Sequence, residues 1–189
     1  MSPFETVIDD SLVQAFDEGR VIEYESLIFQ KPDHKFEQVF LDFLRRHYGV
    51  TLSDCWVKDV EGNELRVQRV LTYEDRDSLP GAIQPSWRGS PDDERLEYSV
   101  LYLESSYPNW EDHDKLIPFA GIDCEEMSQF DMLCLDYREE GRPSVVVWIA
   151  EESMGYASPK TDPVADDFDE FLSRVYMKNN PNTSAGLNA

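Results

Sequence analysis

Apolar residues recur at helical spacing in two stretches. Phe36, Val39, Phe40, Phe43, Leu44 and His47 fall on one face of a helix predicted from about His34 to Tyr48. Asp33 is placed to cap its start, Arg45 and Arg46 suit the negative end of its dipole, and Gly49 can stop it. A second amphipathic helix is predicted after Asp166, the expected N-cap, with Phe168, Phe171, Leu172 and Val175 on one face. Asp167, Asp169 and Glu170 make its first turn acidic, and Arg174 and Lys178 lie near its end. Earlier, Ser11 to Phe16 reads as a short helix capped by Asp10 and ended by Gly19. In Val21 to Phe29, Ile22, Tyr24, Ser26 and Ile28 alternate with Glu23, Glu25 and Leu27, which predicts an extended segment.

Strand patterns fill the middle of the chain. Trp56 to Val60 and Leu65 to Tyr73, joined by Glu61-Gly62-Asn63, predict a β-hairpin. Leu96 to Leu103, Leu116 to Ala120, Met132 to Tyr137 and Val145 to Ile149 predict four further strands, the last an unbroken apolar run expected at the centre of the sheet. Arg138 to Pro143 is a polar hairpin loop. Glu74 to Arg95, with three prolines and two glycines, has no sustained period and reads as an excursion loop. The polar tail 179–189 has little to bury and reads as disordered. Helices toward both ends with strands grouped between them predict an α+β fold, an antiparallel sheet of five to six strands with flanking helices.

Charge changes this picture more than length does. The 189 residues carry 17 Lys and Arg against 39 Asp and Glu, a formal net charge of −22, while 41% hydrophobic residues supply a core. Such a balance argues against binding nucleic acid, which needs a basic footprint, and against docking on anionic lipid. Three widely spaced cysteines, Cys55, Cys124 and Cys134, form neither a disulfide framework nor a zinc motif. No basic-then-apolar leader opens the sequence and no apolar run reaches membrane length, so a cytoplasmic protein is expected.

The order of segments is more specific than any one of them. Leu116-Ile117-Pro118-Phe119-Ala120-Gly121 precedes Met132-Leu133-Cys134-Leu135-Asp136-Tyr137-Arg138. Then come Arg142-Pro143-Ser144-Val145-Val146-Val147-Trp148 and Val164-Ala165-Asp166-Asp167-Phe168-Asp169-Glu170-Phe171-Leu172. This series resembles the C-terminal half of the SUKH superfamily, the Smi/Knr-like proteins. Phe36 to Tyr48 and Lys58 to Leu71 are similar to its earlier helix and hairpin. The resemblance covers residues 31–176 and implies one SUKH-like domain over 1–178, with no cofactor and no catalytic apparatus. It also implies action by binding partners, either as a bacterial immunity protein that neutralises a toxin domain or, as in fungal relatives, as a regulatory module.

Candidate chemistry is sparse. Glu111-Asp112-His113-Asp114 has metal-ligand residue types, but neighbours in an extended segment point to alternate sides, so a solvated acidic loop is expected there. No nucleophile elbow, catalytic cysteine motif or phosphate-binding glycine loop occurs. His47 is expected to serve the helix dipole, and Cys134 and Trp148 to pack in the core. The acidic surface is the feature that calls for a partner, and a basic toxin is the expectation. Glu111, Asp112 and Asp114 are its charged contacts, with Tyr107, Trp110 and Trp87 as aromatic anchors.

Overall fold

A computed structural model describes residues 2–9, 16, 18–19, 21–22, 25, 35–71, 115–122, 131–149 and 160–178. The expected strand at Leu96–Leu103, the 74–95 excursion, most of the short Ser11–Phe16 helix, Asp33 and the tail all lie outside these residues. After a 3-10 turn at Pro3–Glu5 come the strands β1 (Val7–Asp9), β2 (Thr51–Leu52), β3 (Trp56–Lys58) and β4 (Glu64–Val70). These are followed by β5 (Leu116–Ile122), β6 (Asp131–Asp136), β7 (Ser144–Trp148) and β8 (Thr161–Ala165). Helix α1 (Gln38–His47) lies between β1 and β2, and α2 (Phe168–Arg174) follows β8.

Among the described residues all the strand pairings are antiparallel. Seven strands follow the path β1-β2-β4-β5-β6-β7-β8, and β3 pairs with β4 beside it. The α+β architecture is therefore the one expected, with more strands. β5 takes the middle of this path, buried along its whole length, and β7 lies one strand in from the β8 edge rather than at the centre. Pro118 lies in β5 beside a bulge: Pro118 faces Cys134 and Ala120 faces Leu133, so Phe119 is the extra residue. Its carbonyl accepts a hydrogen bond from the Leu71 N–H at 2.9 Å. β8 is a strand the sequence pattern did not reveal. Asp162 and Pro163 break its alternation, but an edge position tolerates proline.

The core joins sheet to helices through phenylalanines. Phe119 of β5 meets Phe40 and Phe43 of α1 at 5.8 and 6.3 Å between ring centroids, and Phe168 and Phe171 of α2 at 5.4 Å each, all edge to face. Trp148 and Cys134 are buried as expected. Gly49, just beyond α1, has a φ of 71°, the left-handed value that ends a helix without a Cβ clash.

Three expectations are corrected. Glu18, Gly19, Val21, Ile22 and Glu25 are helical, so the described residues of the Val21 to Phe29 segment are not extended, and Gly19 does not end a helix; the rest of that segment lies outside the described residues. The reason is tertiary: Val21 is buried, and the Glu25 carboxylate accepts the Phe36 N–H at 2.7 Å, while β-branched content is a weak helix disincentive. Helix α1 begins at Gln38, with Glu37 at its N-cap making no side-chain cap; the Glu37 carboxylate is held instead by Arg142. The cap of α2 is Asp167 rather than Asp166. Its carboxylate accepts the Glu170 N–H at 2.8 Å, and Glu170 in turn accepts the Asp166 N–H at 2.7 Å.

Candidate functional site

Glu111, Asp112, Asp114, Tyr107, Trp110 and Trp87 all fall within residues 72–114, outside the described residues. That segment holds eleven Asp and Glu against three Arg, which makes it a major source of the negative charge. Among the described residues no three or more His, Cys, Asp or Glu converge as a metal site. Cys55 and Cys134 are free and buried, and burial pushes both thiols well above their ordinary range. That leaves them protonated and poor nucleophiles.

Three surface features remain. The first is a groove of about 460 Å³ between the 3-10 turn, α1 and α2, lined by Phe4, Val39, Phe43, Leu172 and Val175 with Arg46 at its polar margin. His47 also lines it, its ring tilted against both Phe4 and Phe43 at 5.2 and 5.1 Å between centroids. Burial, and then the neighbouring Arg46 charge, lower its pKa, with Glu5 opposing. His47 is thus a neutral packing group at physiological pH, and Arg45 and Arg46 supply the positive charge at the end of α1.

The second feature is Arg142 in the β6–β7 loop. Its guanidinium donates to both oxygens of Glu37 at 2.6 and 2.7 Å, to Asp167 at 2.8 Å and to Asp169 at 2.9 Å. One side chain thereby ties the loop to the starts of both helices. The sequence pattern placed Arg142 only in a polar loop.

The third gathers residues distant in sequence around the β3–β4 hairpin. The backbones of Trp56 and Tyr176 exchange hydrogen bonds of 2.9 and 2.8 Å. The Trp56 indole N–H donates to Asp54 at 2.9 Å, and the Tyr176 hydroxyl donates to Glu64 Oε1. The Lys178 ammonium lies 3.8 Å from the centre of the Trp56 ring and 2.7 Å from Glu64 Oε2. Lys178 first, and then the Tyr176 hydroxyl, hold the Glu64 carboxyl below its ordinary range. Burial and this bond push the Tyr176 phenol up to about 12.

A family model described as the SMI1 / KNR4 family (SUKH-1) matches residues 28–174. The chain belongs to that family. Its members are generally non-catalytic and generally bind partner proteins. No significant match was found among curated proteins or among solved structures. In this SUKH-1 protein no described helix is long and apolar enough to cross a membrane.

Proposed function

We propose that this SUKH-1 protein is a cytoplasmic immunity protein that binds and neutralises a cognate toxin domain. The partner is a basic protein, with nuclease toxins as the favoured class. The observation that carries this reading is family membership joined to a net charge of −22. Proteins of this family bind partners, and an acidic surface selects basic ones. A nuclease binds its substrate in a positive groove, and an acidic inhibitor can occupy that groove in place of nucleic acid. Long-range attraction also raises the association rate, which matters when a toxin must be caught before it acts.

The proposed contact surface comprises residues 74–95 and 105–115. Asp112, Asp114 and Glu111 steer the partner, and Trp87, Tyr107 and Trp110 anchor it. The mechanism is occlusion, with no covalent step and no cofactor.

The test is to co-express the tagged protein with the products of neighbouring genes and to score growth and co-purification. Rescue from a lethal neighbour through a stable complex supports immunity. If no neighbour is toxic and a housekeeping protein co-purifies instead, the immunity reading fails and a regulatory binding role replaces it.

A further inference from the structure

The Lys178 contact has the form of a ligand seated in a site. The Trp56 ring is fixed from two sides, by its indole bond to Asp54 and by backbone pairing with Tyr176. Glu64 is oriented by the Tyr176 hydroxyl on one oxygen, which leaves the other to meet an ammonium. Both receptor groups are thus held by bonds that do not involve the Lys178 side chain. An aromatic face flanked by a carboxylate is a cation-binding arrangement. Glu64 and Lys178 keep 38% and 43% of their side chains exposed, so the cation can leave and another can enter. Asp54, whose carboxylate also accepts the Lys178 backbone N–H at 3.1 Å, adds negative charge. Lys58, 5.9 Å from the Tyr176 ring, and Arg66, paired with Trp56 across the strands, are the cations facing the same patch.

We propose that Trp56, Glu64 and Tyr176 form a receptor for a Lys or Arg side chain of the partner protein, which Lys178 fills in the free protein. The choice of occupant rests on the basic partner proposed above. The seated lysine is the independent observation, since it shows the receptor accepting the chemistry that such a partner carries. Lys178 then acts as an internal competitor: a partner cation must displace it, and the apparent affinity is reduced by the fraction of time the site is filled.

The experiment follows the Trp56 indole N–H resonance, assigned with Trp56→Phe, in the full chain. Lys178→Ala should move that resonance while leaving the amide spectrum away from the hairpin in place. Lys178→Met keeps the apolar stem, removes the charge and should move it likewise. Titrating n-butylammonium chloride into either variant should return the resonance toward its wild-type position and saturate. Sodium chloride at the same ionic strength should not, and adding Glu64→Gln should abolish the rescue. Tetralysine, read at the same resonance, should bind the Lys178→Ala protein about fivefold more tightly than wild type. An unmoved resonance in both variants, rescue by sodium chloride equal to that by n-butylammonium, or equal tetralysine affinities would each overturn the proposal. These probes are small cations, so they report on the receptor whether or not the neighbouring genes encode a toxin.

Discussion

Phe119 joins the middle strand of the sheet to both helices. Its side chain is fully buried on the middle strand and touches two phenylalanines from each helix. Phe119→Ala removes that ring from a site walled by four others, whose positions are set by two helices and cannot all move inward. Loss of transfer energy, the cavity and the lost edge-to-face contacts together cost about 4 kcal/mol. Against a total stability of roughly 5–15 kcal/mol this is a large share. In urea unfolding the midpoint should fall sharply with little change in slope, and the thermal midpoint should drop by about 10 °C. Phe119→Leu, which keeps much of the volume, should cost about 1.5 kcal/mol. A loss below about 1.5 kcal/mol for Phe119→Ala would refute the view that this ring joins the helices to the sheet.

Three further outcomes follow. His47 is held neutral when folded, so the unfolded chain binds more protons below the ordinary histidine value of 6.5; its contribution is complete above that pH and is lost as pH falls through the lower folded value. The wild-type urea midpoint should therefore fall more between about pH 7.5 and 5.5 than that of His47→Phe, and equal falls would refute this. Arg142→Ala should shift the urea midpoint far less than Phe119→Ala, because Arg142 is half-exposed and its ion pairs are screened by solvent, and the difference from wild type should shrink in high salt while amide exchange in the β6–β7 loop rises. Asp112→Lys with Asp114→Lys should slow association with the proposed basic partner, less so at high salt, and an association rate indifferent to both changes would remove these residues from the proposed interface.

What the sequence revealed depended on how local the deciding interaction was. The aromatic stripe of α1 and the apolar runs of β5, β6 and β7 are local patterns, and each produced the element predicted. The start of α1 was missed because an ion pair between Glu37 and Arg142, distant in the chain, takes the place of a side-chain cap. Val21, Ile22 and Glu25 were misread because the alternation around them imitates a strand, while burial of Val21 and the bond from Phe36 to Glu25 belong to tertiary structure. The same limit applies to function. Candidate contacts in 74–95 and 105–115 could be named from charge and aromatic content. The meeting of Trp56, Glu64, Tyr176 and Lys178 depends on the C-terminal segment returning to pair with β3, which no local spacing encodes.

The amount of negative charge is itself an argument about function. Solubility of a small domain calls for a net charge of roughly 2–8 in magnitude, and charge beyond that works against the compact state through self-repulsion. Here it reaches −22. The described ion pairs at Arg45, Arg142 and Arg174 involve side chains that keep from about a quarter to three-fifths of their surface exposed, a setting in which each pair stabilises little. Stability rests instead on the phenylalanine cluster and the seven-strand path, which can carry an electrostatically unfavourable surface. A scaffold that tolerates surplus negative charge, joined to a family that works by binding partners, is suited to present that charge to a basic partner. The Lys178 contact shows on a small scale how such a surface receives a cation.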